Sequence, residues 1–552
     1  MAPYRTVDRD EAAEAPRDQG IVGDVIAQFA DPLAFYRELV QNAIDAGSPS
    51  VEVKLTHEAG TLRVRVIDRG SGMTREIVEN QLLVLFRSTQ EKDPTKIGKF
   101  GIGFTRVLAP YPTLVVVDTV RDGRRLTLHL QRDLTYQLFD GGSATQAGTS
   151  VELDLAVPAD AAADFANRSY RALVQWCRHA AVPLHFSAEV PGLQAPLVAR
   201  IDRPLALDDT LLEVQATAPD GTLTVVVGIE RTPRTYTGFF NHGLTLFETT
   251  ELLVRKQISC KLKDPRLGHT LSRDNVRRDE HFTQAIAFAR ELVDTRLRQV
   301  AATELRTAAE TGDLERYTAV MHAIMRAELP LTLDEWWVPL ASELGGRRAM
   351  PFSELPEPIW YVPRPSRLAT ACSAAGIPVA LLTHSDAPDI ARALPSRVFE
   401  RRLLWLDDSF VHVRPLDLSE NDAALVGELA ELLRACKREP GRIVLAEVEG
   451  NRGQKMALGG GAEVARFVEA DGSYVLANET AGTPPIGRFA RGTLVLWADH
   501  TYVADARQAP DPRLAASHLA RLILHGYGQL DPKRSELLLS RGLEALGIGG
   551  GR

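Results

Sequence analysis

The stretch DPLAFYRELVQNAIDAG, residues 31–47, decides how the rest of the chain is read. Leu33, Phe35, Tyr36, Leu39, Val40, Ala43 and Ile44 recur at helical spacing and form one apolar stripe. Asp31 is a candidate N-cap, Pro32 suits the first helical position, and Gly47 follows the last periodic residue. On such a helix Glu38, Asn42 and Asp45 stand at i, i+4 and i+7, sharing one face and rising about 10 Å along it. Two carboxylates and an amide in a row are costly to bury unless that face meets a cation or a ligand.

Two further segments supply complementary chemistry. A strand expected from Leu62 to Ile67 runs into Asp68, Gly70 and Gly72 within RVIDRGSGM, residues 65–73. Glycines spaced by one residue allow a tight turn and a close backbone approach to a flat ligand. Asp68, at the strand end, is placed to accept a hydrogen bond from that ligand's edge. The segment TKIGKFGIGF, residues 95–104, carries Gly98, Gly101 and Gly103 ahead of a mostly apolar run from Phe104 to Ala109. Glycines before a helix expose backbone N–H groups to an anion, and the helix N-terminus adds a favourable field. Each pattern alone is common on protein surfaces. All three in order within about 70 residues point to a nucleotide site with an acidic helix, a purine-edge acceptor and a phosphate cradle.

This order resembles the GHKL ATPases: gyrase, the ninety-kilodalton heat-shock chaperone, histidine kinases and MutL. Their ExxxNAxDA, DxGxGM and GxFGxGF motifs correspond to Glu38–Ala46, Asp68–Met73 and Gly98–Phe104. The resemblance implies that Glu38 orients and deprotonates a water attacking the γ-phosphate of ATP, and that Asn42 holds Mg²⁺. It implies that Asp68 accepts from the adenine amino group, Gly72 and Thr149 share its water, Gly70 belongs to the same turn, and Met73 packs on the ring. Asp45 would orient Asn42 or a water. Backbone groups of Gly98, Lys99, Phe100, Gly101, Ile102, Gly103 and Phe104 would grip the phosphates. Lys99 stands where many of the chaperones carry glutamine, and Asn80 or Gln81 would reach the nucleotide. The polar segment RSTQEKDPTK, residues 87–96, falls where the family has its ATP lid. Further on, TLSRDN resembles a chaperone middle-domain element whose arginine reaches the γ-phosphate, here Arg273; Lys256, Lys261 and Lys263 are rivals for that role.

Composition bounds the alternatives. The chain has 552 residues, 45% hydrophobic and 25% charged, as in soluble globular proteins. Its net charge of −8, from 64 basic and 72 acidic residues, argues against a nucleic-acid-coating protein. Cys177, Cys260, Cys372 and Cys436 are far apart and form no CxxC pair, so a zinc site or disulfide framework is not expected and a reducing cytoplasm is. No apolar run reaches the ~18 residues of a membrane span, and the acidic N-terminus lacks the core of a signal peptide.

The expected fold class is α+β. Residues 1–20 read as a mobile arm. Residues 21–187 read as a Bergerat-type two-layer α/β sandwich that binds ATP, ending in a helix from Tyr170 to Ala180. Residues 188–340 read as a middle domain, with a linker-like start to 210, strands at 223–229 and 238–247, the arginine loop, and a long helix from about 276 to 299. Residues 341–448 read as a small α/β domain and 449–552 as a C-terminal domain, with a glycine-rich linker near 449–465. The leading expectation is a chaperone-like, HtpG-related ATPase whose clamp closes on client proteins as a homodimer, with no nucleic-acid or membrane partner. The alternatives are a MutL-like clamp linked to nucleic acid, and a scaffold that senses nucleotide.

Overall fold

The apolar stripe of residues 33–44 folds into helix α1 (Phe35–Asp45), which buries Phe35, Tyr36, Leu39, Val40 and Ala43. The computed structural model describes residues 31–83, 104–133, 135–270, 275–383, 386, 390, 402–450, 456–460, 465–468, 472–477 and 492–548. Helix α1 starts later than the N-cap signal suggests. Asp31 Oδ1 accepts from the Leu33 N–H at 2.9 Å and so caps a tight turn ahead of the helix, while Ala34 occupies the N-cap position. The C-terminal end closes as expected. Gly47 adopts φ +73°, and the Ser48 N–H returns to the Ala43 carbonyl at 3.0 Å.

The chain divides into two compact units, Met1–Val293 and Asp294–Arg552. In the first, α1 lies on an eight-stranded sheet of order β5-β4-β3-β6-β2-β1-β7-β8. Its strands are β1 (Val51–Glu58), β2 (Thr61–Asp68), β3 (Leu114–Arg121), β4 (Arg124–Gln131), β5 (Tyr136–Ser143), β6 (Gly148–Ala156), β7 (Leu184–Glu189) and β8 (Leu197–Ile201). Alternation along the strands sends Val53, Val64, Val117 and Leu153 into one core with α1 and helix α2 (Ala162–Cys177). The opposite face carries cross-strand ion pairs such as Arg63 with Asp154 and Arg125 with Asp118. The result is a two-layer α/β sandwich. Turn chemistry explains the hairpins: Ala59 and Gly60 both take left-handed φ, the two-residue turn that matches strand twist.

The stretch from 188 expected to be linker-like holds the end of β7 and all of β8. β7 pairs parallel with β1 and β8 antiparallel with β7, because Leu184, Phe186 and Ala188 extend the buried face. The same unit holds a five-stranded sheet, order β12-β11-β13-β10-β9. It is built from β9 (Thr210–Thr217), β10 (Thr224–Glu230), β11 (Tyr236–Asn241), β12 (Leu244–Thr249) and β13 (Ser259–Lys263). The strand segment expected at 238–247, with its Asn-His-Gly turn between apolar runs, is a hairpin turned by His242 and Gly243, both at left-handed φ. That tip abuts the first sandwich so closely that a Cβ on Gly243 would stand 1.6 Å from the His179 carbonyl oxygen. Helix α3 (Glu280–Leu292) begins at Asp279, whose carboxylate caps the Phe282 N–H at 3.1 Å.

The second unit opens with paired helices Arg298–Thr311 and Leu314–Arg326, reversed at Gly312. Strands Ile359–Val362, Val379–Leu381 and Leu403–Trp405 pair in parallel, with helix Arg367–Ala374 between the first two. A six-stranded sheet follows, and it includes Ala457–Gly460, in the segment read as a linker, and Ala465–Val468 just after it. Helices Glu420–Ala435, Pro512–Gly526 and Pro532–Ala545 pack on one another and on this sheet's core. All four cysteines are buried and unpaired.

Candidate functional site

Two of the three motifs, Glu38–Ala46 and Asp68–Met73, meet at one end of the first sandwich through backbone contacts that the glycines of the second permit. The Ser71 N–H donates to the Ala46 carbonyl at 2.9 Å, fixing the Asp68–Gly72 turn on the C-terminal end of α1. Gly70 sits where a Cβ would lie 2.6 Å from the Ala46 Cβ. Gly72 takes φ +65°, and a Cβ there would stand 2.0 Å from the Val120 carbonyl oxygen. The turn is thus wedged between a helix end and a strand end, and only glycine fits it.

Register aligns Asp68 of β2 with Thr149 of β6, and Thr149 in turn with Thr119 of β3. The Asp68 carboxylate accepts from the Gly70 N–H at 2.8 Å and from the Thr149 backbone. Burial raises its pKa above the ordinary aspartate value, and those two N–H donors oppose the rise. Thr119 joins the group: its hydroxyl accepts from the Met73 N–H at 2.9 Å and lies 3.1 Å from the Thr149 hydroxyl. Sequence reading missed Thr119. Its signal is a hydroxyl at an inward position of a strand whose Val115 and Val117 are core residues.

Along α1, Glu38 is buried while Asn42 and Asp45 are exposed. Asp45 accepts from Gln41 Nε2 at 2.9 Å, one turn back along its own helix. Glu38 Oε1 lies 3.4 Å from Arg106 Nη1. Arg106 belongs to a 3₁₀ turn, Phe104–Leu108, that leaves the glycine segment, and Phe104 is buried in the domain core. Arg106 also escaped the sequence reading, although a lone charge in the buried run FTRVLA was its mark. Asn80 is exposed on a π-helical turn, Val78–Leu82, which follows one α-turn capped by Thr74. Gly98, Lys99, Phe100, Gly101, Ile102, Gly103 and Arg273, with the lid segment 87–96, lie outside the described residues.

The stem of the TLSRDN loop is nonetheless close to α1. His269 bridges to Val276, and the Thr270 N–H donates to the Asn275 carbonyl at 3.0 Å. His269 Nε2 contacts the guanidinium of Arg37, the residue before Glu38, and that guanidinium also lies over the Trp176 ring at 5.5 Å. Lys261, one rival to Arg273, is committed elsewhere. It is buried at the sheet junction, its Nζ 2.6 Å from the Ala206 carbonyl and 3.1 Å from His179 Nε2. Burial, with Arg178 nearby, lowers Lys261 to about 8. Burial, with the Lys261 charge, lowers His179 to about 4.

Among the described residues no three or more His, Cys, Asp or Glu side chains gather into a metal cluster, and no helix is long and apolar enough to cross a membrane.

Sandwich, acidic helix and glycine turns together define a class, and residues 36–141 match the family described as histidine kinase-, DNA gyrase B- and HSP90-like ATPase. The N-terminal part of the chain is a GHKL ATPase domain. The relatives it resembles are DNA mismatch repair proteins MutL. The protein from Pediococcus pentosaceus is 29% identical over 150 residues, 26% of this chain and 22% of that one. That from Opitutus terrae is 38% identical over 89 residues, 15% and 13% of the two chains. That from Geobacillus thermodenitrificans is 48% identical over 54 residues, 10% and 8%. The chain thus spans less than a quarter of the length of the curated relatives it matches. These matches correct one expectation. Client proteins as partners, with nucleic acid set aside, conflicts with relatives named for DNA mismatch repair. The physical error lies in net charge: −8 summed over 552 residues says nothing about the sign of one local surface.

Proposed function

We propose that the chain binds and hydrolyses ATP and couples that turnover to a nucleic-acid transaction, as the names of its MutL relatives suggest. One observation supports the ATPase part: the C-terminal end of the helix that carries Glu38, the Asp68–Gly72 turn and Thr149, drawn from distant segments, come together in one sandwich. Asp68 accepts from the adenine amino group, and the Thr119–Thr149 hydroxyl pair holds the water beside it. Met73 packs on the ring, and Gly98–Phe104 carry the phosphates on backbone N–H groups. Glu38 orients and deprotonates the attacking water. Mg²⁺, held through Asn42, neutralises phosphate charge when bound. Arg273 approaches the terminal phosphate from its loop, whose stem already meets α1 through His269 and Arg37.

Steady-state ATP turnover of the full chain, with and without duplex DNA, tests both parts. Glu38→Ala should lower turnover by about 100-fold or more while ATP still binds, and DNA should accelerate the wild type. Unchanged turnover in Glu38→Ala removes Glu38 from its role. Turnover indifferent to DNA rejects the nucleic-acid coupling.

A further inference from the structure

Glu38 does not stand alone on its helix face. Its Oε1 is 3.4 Å from Arg106 Nη1, and each of the two side chains keeps only 12% of its surface exposed. A carboxylate in such a setting is strongly disfavoured without a cation, and its orientation follows that cation. The arginine is itself firmly mounted. It rides a 3₁₀ turn whose Phe104, Thr105, Val107 and Leu108 are all buried, and the turn packs against α1. Arg106 also lies three residues past Gly103, so the chain that would carry the phosphates leads directly into the turn that holds the base.

We propose that Arg106 is a positioning residue for Glu38: it holds the carboxylate in one orientation and offsets its charge beside an incoming triphosphate. The inference rests on the ATPase reading above. A planar guanidinium suits the task because it can bond a carboxylate oxygen along one edge and still present other N–H groups. Once it is removed, Glu38 loses that cation beside the phosphates and turns away from the attacking water. Misplacement of a reacting group by about 1 Å costs on the order of 100-fold in rate, so the effect falls on the chemical step rather than on binding.

The test is steady-state turnover and ATP binding for the full chain and for Arg106→Ala, Arg106→Gln and Arg106→Lys. The expected result is a kcat lower by roughly 10- to 100-fold in the Ala and Gln variants, with KM and ATP affinity within about three-fold of wild type. Arg106→Lys restores charge and should recover most of the lost rate, which a purely space-filling role would not produce. Adding Arg106→Ala to Glu38→Ala should cause no further loss, since nothing is left to position. Normal ATP binding reports that each variant has folded. Full turnover in Arg106→Ala, or a defect confined to KM, overturns this proposal while the ATPase reading stands. A wild-type chain that binds ATP without hydrolysing it overturns both.

Discussion

Asp68→Asn is the sharpest probe of the nucleotide site, because the substitution keeps the shape and changes only what the side chain can accept. In the structure one carboxylate takes the Gly70 N–H at 2.8 Å and the Thr149 N–H. An adenine amino group would be a third donor. A carboxylate can accept all three; a carboxamide cannot. If the asparagine oxygen stays on Gly70 and Thr149, its NH₂ meets the adenine amino group, donor against donor. If the amide flips, its NH₂ meets the two backbone donors instead, and the turn loses its bonds. The variant loses a hydrogen bond to a charged acceptor, about 1.5–3 kcal/mol, which is roughly 10- to 150-fold in affinity. Titration calorimetry of the full chain with ATP and with GTP reads this directly. ATP affinity should fall by that factor. Discrimination against GTP should narrow, since guanine offers a carbonyl where adenine offers an amine. Because burial raises the Asp68 pKa, ATP affinity in the wild type should also start to fall above the pH at which an ordinary aspartate titrates. ATP affinity within three-fold of wild type, in a variant that unfolds normally, would refute the assignment.

Other outcomes follow from the same geometry. Gly72→Ala puts a side chain at φ +65° and 2.0 Å from the Val120 carbonyl oxygen; it should destabilise the domain by about 3 kcal/mol and abolish ATP binding, measured by denaturant unfolding and calorimetry. His179 is held neutral in the fold, its pKa lowered from 6.5 to about 4, so the unfolded chain binds the extra proton first as pH falls. Its contribution is therefore complete above pH 6.5 and lost as pH falls through 4, a decline of about 3 kcal/mol. Urea unfolding of the full chain between pH 7 and 4 should show that decline, and His179→Gln should flatten it; an identical acid slope in the variant would reject the assignment.

What could be read in advance follows the range of each interaction. The α1 stripe and the Gly47 stop are set by residues within a few positions of one another, and they formed as the periodicity predicts. So did the strand expected from Leu62 to Ile67, which is the body of β2. The helix start moved because Pro32 and Asp31 make a competing local turn. The linker-like stretch expected from 188 to 210 holds β8 and the end of β7, since a strand at a sheet edge need not show strong local alternation.

By itself, then, the sequence determined which chemical groups are present and how each is presented locally: acids on one helix face, an aspartate before paired glycines, and a glycine segment ahead of an apolar run. The tertiary structure alone decided what those groups meet. Thr119 joins Thr149 across neighbouring strands, Arg106 reaches Glu38 from 68 positions away, and Lys261 turns into the His179 junction instead of toward the acidic helix. The physical reason is that spacing along a chain encodes period and turn, whereas contacts between remote segments depend on sheet register and layer packing, which arise only when the whole core is buried at once.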